Sequence, residues 1–216
     1  DLAAAATGRR TAWDPDAPFY PVAEEARDLA RQRLAPLEGR RRVAIHPGAS
    51  IPERRWPPER YAELALMLSR DDIGIVLLGG PADGPAAAVI QKALGDRPSI
   101  DLATRCSLAE AAAVVEQVDV YVSADSGVLH LAYGVGTPTV HLFGPGVLSK
   151  WGPQGRRFVT IRTDAPCSPC TRFGYTPPCN QGMICMKRIT AAEVARAVRA
   201  QLGGGPREDG TRGATG

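Results

Sequence analysis

Three features of this 216-residue chain predict an α/β fold built on a doubly wound parallel sheet. Short β-branched and leucine runs alternate with amphipathic stretches of ten or so residues, the pattern of successive βαβ units. Several of those runs are too short for a helix and are closed by glycine, as in "IGIVLLGG". Three of the turns that follow such runs carry polar residues poorly suited to packing, and parallel topology puts all three at one edge of the sheet.

The elements follow in order. Residues 22–35 carry a helical pattern, and "EGRRR" links it to a first strand at Val43 to His46. Pro58 suits a helix start, and Tyr61, Leu64 and Leu68 recur at helical spacing. "IGIVLLGG" is a second strand, "PAAAVIQKAL" a helix and "SIDLA" a third strand. "SLAEAAAVVEQV" opens with a capping box, in which Ser107 and Glu110 satisfy each other's backbone amides. "DVYVS" is a fourth strand, with a helix after Gly127. "TPTVHLFG" is a fifth strand and "FVTIR" a sixth. "TAAEVARAVRAQL" closes the fold behind a second box, Thr190 with Glu193.

Composition sets the outer limits. A hydrophobic share of 44% supports a real core, and 23% charged residues is ordinary for a water-soluble domain. A net charge of +3 brings no strong field for nucleic acid or membrane. Arg40, Arg41 and Arg42 read as a solvated linker edge. No stretch approaches the ~20 continuous apolar residues of a membrane span, and the opening "DLAAAATGRR" has no signal-peptide pattern. Lacking an initiator methionine, it reads as the middle of a longer chain. The ending "GGGPREDGTRGATG" reads as a disordered tail.

The three polar loops are "HPGASIPERRW", "GGPADG" and "SADSGVLH". Amides at a helix start bind anions, and Gly127 permits close approach because it lacks a Cβ. Asp125 would repel a phosphate but suits hydroxyls; it equally suits a plain N-cap. Arg54 and Arg55 match phosphate oxygens with planar forks, or are a solvated surface pair. Asp83 stands where acids of nucleotide-binding sheets take ribose hydroxyls, or is a turn aspartate. His130 is either a ligand contact or a packed residue. The absence of a Walker loop, GxGxxG or HExxH argues against P-loop hydrolysis, common dinucleotide hydride transfer and zinc proteolysis.

Taken in order, "IHPGASIPERRWP", "LLGGPADG", "LATRCSLAEAAAVVEQVDVYVSADSGVLHLAYGVGTPTVHLFGP" and "WGPQG" resemble glycosyltransferase family 9, the ADP-heptose:lipopolysaccharide heptosyltransferases. The resemblance spans about residues 40–200. It implies a Rossmann-like domain forming one half of a two-domain GT-B enzyme, the C-terminal half that holds the nucleotide sugar. Residues 1–40 are then an interdomain linker and flanking helix, 41–202 the donor domain and 203–216 the tail. The half that binds the lipid acceptor and supplies the catalytic base is expected to be missing.

The resemblance also implies the donor-binding set. Ser50 lies in the first loop, and Arg54 stands where the family has a diphosphate-neutralising lysine. Asp83 falls at the ribose, Cys106 near the adenine through its backbone, and Asp125 at the heptose hydroxyls. Ser126 and Gly127 amides meet the phosphates, with His130 beside them. The implied chemistry is an inverting, metal-independent displacement with no cofactor, transferring heptose from ADP-heptose to a lipopolysaccharide core. The implied setting is the cytoplasmic face of the inner membrane, peripherally, with no nucleic-acid partner. A GT-B transferase using another nucleotide sugar and a non-catalytic binding module are the rival readings.

Cys167, Cys170, Cys179 and Cys185 follow the spacing C-x2-C-x8-C-x5-C. Four such thiolates can hold zinc, and a disulfide is the oxidising alternative. The expectation is a structural loop without metal.

Overall fold

The computed structural model describes residues 14–203. The expected linker is therefore seen from residue 14 on, and of the expected tail only Gly203, the last residue of a helix, lies within the described residues.

Six parallel strands form one sheet: β1 (Arg42–His46), β2 (Gly74–Leu77), β3 (Ser99–Asp101), β4 (Val120–Ala124), β5 (Thr139–Leu142) and β6 (Phe158–Ile161). Their order is β3-β2-β1-β4-β5-β6, the doubly wound arrangement whose direction of growth reverses between β1 and β4. Helices α1 (Glu24–Leu34), α2 (Pro58–Ser69), α3 (Gly84–Leu94), α4 (Leu108–Glu116) and α5 (Gly127–Gly134) cover it. Two single-turn helices, α6 (Leu148–Trp151) and α7 (Ile184–Lys187), precede the last helix, α8 (Ala191–Gly203).

Strand alternation divides the core into two layers. Val43, Ile45, Ile75, Leu77, Val120 and Val122 face α2, α3 and α8. Ala44, Val76 and Tyr121 face α1, α4 and α5. Both faces are thus buried, so β2, the middle of β1 and the start of β4 are apolar at successive positions and not only at alternate ones. Both expected capping boxes form. Ser107 Oγ accepts the Glu110 amide at 3.3 Å while Glu110 accepts the Ser107 amide at 2.6 Å. Thr190 and Glu193 make the same exchange at 3.3 and 2.8 Å.

Two details depart from the sequence reading. The arginine run keeps its contact with solvent, but it is ion-paired and leads into the sheet, unlike a bare linker edge. Arg40 pairs with Asp72 and Arg41 with Asp119, and Arg42 opens β1. The single turns α6 and α7 lie in stretches too short and too rich in Gly and Pro for any periodicity to register. Among the described residues no helix is long and apolar enough to cross a membrane.

Candidate functional site

The loops after β1, β2 and β4 converge at the carboxyl edge of the sheet, beside its point of reversal. They enclose an open cleft of about 750 Å3, within the range of ligand pockets. Five of the expected residues line it: Ser50, Asp83, Ser126, Gly127 and His130. His46, Arg55, Tyr20 and Leu108 complete much of the wall.

Asp83 sits at the end of a single 3-10 turn, Pro81–Asp83. Its Oδ2 accepts the Gly80 amide at 2.8 Å and lies 3.2 Å from His46 Nε2. Gly48 makes this possible, because a Cβ there would stand 2.0 Å from Asp83 Oδ1. The hydrogen bond from His46 holds the Asp83 carboxyl below its ordinary value, against the opposing effect of burial; the Gly80 amide and the charge of Arg55 add to the lowering. A carboxylate fixed in this way is ionised at neutral pH and able to accept from hydroxyls.

His46 itself ends β1, in register with Ser123 of β4. It is buried, and its Nδ1 lies 3.2 Å from Ser123 Oγ. Ser123 Oγ is in turn 3.2 Å from Ser126 Oγ. In the sequence His46 passed as a strand terminus. The available signal was the one that drew attention to Asp125, a polar residue closing an apolar run.

Ser126 is the N-cap residue of α5, and its side chain makes no capping bond. Asp125 therefore stands one residue before the cap. The first amides of α5 have no partner within the helix, and Gly127 is exposed with no atom within 4 Å of where a Cβ would be. The cleft thus meets the positive end of a helix with backbone donors in reach.

The two arginines separate. Arg55 lines the cleft, and its Nε donates to the Ala49 carbonyl at 2.8 Å. Arg54 turns to Asp125, with Nη1 3.1 Å from Oδ2. Neither Arg54 nor Asp125 is among the residues lining the cleft. Burial pushes the Asp125 carboxyl up, while Arg54 and then His130 act in the opposite direction. Between the arginines and α2, Trp56 is fully buried and donates its indole N–H to the Ile189 carbonyl at 3.1 Å. That anchor sets the course of the arginine loop.

Cys106 is not on the cleft wall either. Arg33 Nη1 approaches its sulfur at 2.8 Å, and burial raises the thiol's pKa. Leu108, two residues on, supplies the apolar wall at that corner. At the other end His130 packs edge-on to Trp151, with centroids 6.4 Å apart, and Lys150 Nζ lies 5.1 Å from the Trp151 ring centre. The four-cysteine segment reaches the site through Thr176, whose Oγ1 is 3.4 Å from Arg54 Nη2. Among the described residues no group of three or more His, Cys, Asp or Glu side chains is arranged to hold a metal ion.

Comparison with known proteins bears on this geometry. The model of glycosyltransferase family 9 (heptosyltransferase) matches residues 3–178. Lipooligosaccharide heptosyltransferase 2 of Haemophilus influenzae is 33% identical over 129 residues, which are 57% of this chain and 37% of that protein. The structure of E. coli ADP-heptose lps heptosyltransferase II superposes with a TM-score of 0.70 at 28% identity, covering 86% of this chain and 53% of that one. E. coli heptosyltransferase WaaC with ADP shares the fold, with a TM-score of 0.61 at 21% identity over 80% of this chain and 48% of that one. The chain therefore spans about half the length, or less, of these relatives.

Proposed function

The chain belongs to glycosyltransferase family 9, and from that premise we propose that it is the donor-binding half of a heptosyltransferase. It holds ADP-heptose for inverting transfer to a lipopolysaccharide core. The observation that carries this reading is the meeting of Ser50, Asp83, Ser126, Gly127 and His130 in one cleft at the sheet's point of reversal. Asp83 serves the ribose diol, and the amides at the start of α5 serve the diphosphate. Arg55, on the cleft wall, supplies the cation for the diphosphate, and the pair of Arg54 and Asp125, which does not line the cleft, backs that helix start.

In this reaction an acceptor hydroxyl attacks the anomeric carbon of the heptose and the bond to the β-phosphate oxygen breaks. Charge accumulates on the departing ADP, where arginine side chains and helix amides are worth most. The acceptor's proton goes to a base outside this donor-binding domain. By the same proposal the acceptor is a lipid-linked core at the cytoplasmic face of the inner membrane, which the chain meets peripherally; the lipopolysaccharide heptosyltransferases among its relatives support this reading.

Calorimetric titration of the chain with ADP, ADP-heptose, UDP-glucose and GDP-mannose tests the proposal. ADP and ADP-heptose are expected to bind and the other two to bind much more weakly. Tighter binding of a UDP- or GDP-sugar would assign the domain to a different donor.

A further inference from the structure

Asp83, His46, Ser123 and Ser126 form a continuous polar chain beneath the cleft, each neighbouring pair 3.2 Å apart. It runs from the β2 loop, across the ends of β1 and β4, to the cap of α5. His46 and Ser123 are buried and sit side by side in the parallel register, so their spacing is fixed by the sheet itself. The hydrogen bookkeeping is restrictive. Asp83 is an acceptor, so His46 Nε2 carries the hydrogen between them. Ser123 has one hydrogen and three acceptors around it, Ala124 O at 2.9 Å besides the His46 and Ser126 atoms. The imidazole and the Ser126 hydroxyl thus meet at one hydroxyl group, whose single hydrogen they share with the Ala124 carbonyl.

We infer that His46 is a positioning residue for a nucleoside diphosphate, holding the hydroxyl-accepting Asp83 and the phosphate-facing Ser126 in one rigid arrangement across the sheet's point of reversal. The inference rests on the reading of this cleft as a nucleotide site. His46 acts through its two partners. Its Nε2 side orients the ribose acid, and its Nδ1 side orients the cap of α5. Removing it loosens both contacts although neither contacting residue is changed.

Two ratios measure the two sides separately in titrations of the chain. The preference for ADP over 2'-deoxy-ADP reports the acid, and the preference for ADP over AMP reports the phosphate turn. His46→Phe is expected to reduce both preferences, by roughly tenfold where a charge-assisted hydrogen bond loses its geometry. Glutamine can place its amide nitrogen, a donor, near the position of Nε2, and asparagine its amide oxygen, an acceptor, near that of Nδ1. His46→Gln should therefore keep the ribose preference and lose part of the phosphate preference, and His46→Asn should do the reverse. A variant that merely loosens the fold lowers all affinities in parallel and leaves the ratios alone. Unchanged ratios in His46→Phe, or the same ratios in the glutamine and asparagine variants, overturn the inference while leaving the nucleotide site standing. If the parent chain itself prefers ADP to neither analogue, the reading of the cleft fails and the inference falls with it.

Discussion

Asp125 and Arg54 are buried against each other, their charged atoms 3.1 Å apart and their side chains 4% and 15% exposed. The pair lies immediately before the cap of α5, and Gly146 closes it on one side. A Cβ at residue 146 would come within 2.4 Å of Asp125 Oδ2. A carboxylate taken this far from water depends on its cation.

Arg54→Met should therefore cost stability in a pH-dependent way. Burial already holds the Asp125 carboxyl above its ordinary value, and losing Arg54 raises it further. A carboxyl with a raised folded pKa costs nothing while protonated in both states. Its cost grows as pH rises from about 4, the unfolded value, through the folded one. Denaturant unfolding should show a deficit of about 3 kcal/mol near pH 8 that narrows towards pH 4. A deficit of equal size at both pH values would mean that lost packing and not charge is responsible.

Arg55→Ala should weaken ADP far more than adenosine. Arg55 is the arginine that lines the cleft, and a charge-assisted bond to phosphate is worth roughly tenfold or more in affinity. Equal losses for the two ligands would place Arg55 away from the diphosphate.

Gly48→Ala should act as an indirect Asp83 variant. The added methyl would overlap Asp83 Oδ1, so the carboxylate must leave its place beside His46. Overpacking of this kind costs about 1–3 kcal/mol, within reach of a folded domain. ADP affinity should fall to the level of Asp83→Ala, and the double variant should fall no further. Additive losses would show that Gly48 acts by another route.

Asp83→Asn should flatten the acid limb of the stability profile. His46 foremost, then the Gly80 amide and Arg55, hold the Asp83 carboxyl low in the folded state. A depressed carboxyl contributes stability above its unfolded pKa and loses it as pH falls through the folded value. The parent chain should thus lose stability more steeply than Asp83→Asn as pH drops below about 4. Parallel melting profiles for the two proteins in that range would contradict this.

Much of the fold was open to reading because each strand and helix declares itself over several residues. The capping serines and threonines, the proline at the start of α2 and the glycine-terminated strands each repeat one local rule many times. The polar loops were legible as a group for the same reason, since topology alone sends β1, β2 and β4 to one edge. Single side chains were harder. Arg54 and Arg55 are neighbours of the same type, and only the path imposed by Trp56 and Ile189 sends one to Asp125 and the other to the cleft. Cys106 faces Arg33, a partner 73 residues away in sequence that no local pattern announces. His46 follows three apolar residues, Val43, Ala44 and Ile45, and its role emerges only once parallel register sets it beside Ser123.

The division of the core into two helical layers has a mechanical consequence. Asp83 leads into α3 on one side of the sheet, whereas Ser126 and Leu108 open α5 and α4 on the other. A ligand filling the cleft would touch both, and so work as a staple across the mouth of a sandwich whose two layers are held apart by the strands. Tight binders should slow amide hydrogen exchange most at the carboxyl ends of β1 and β4, where that seam opens, and least at the far edge, in β6.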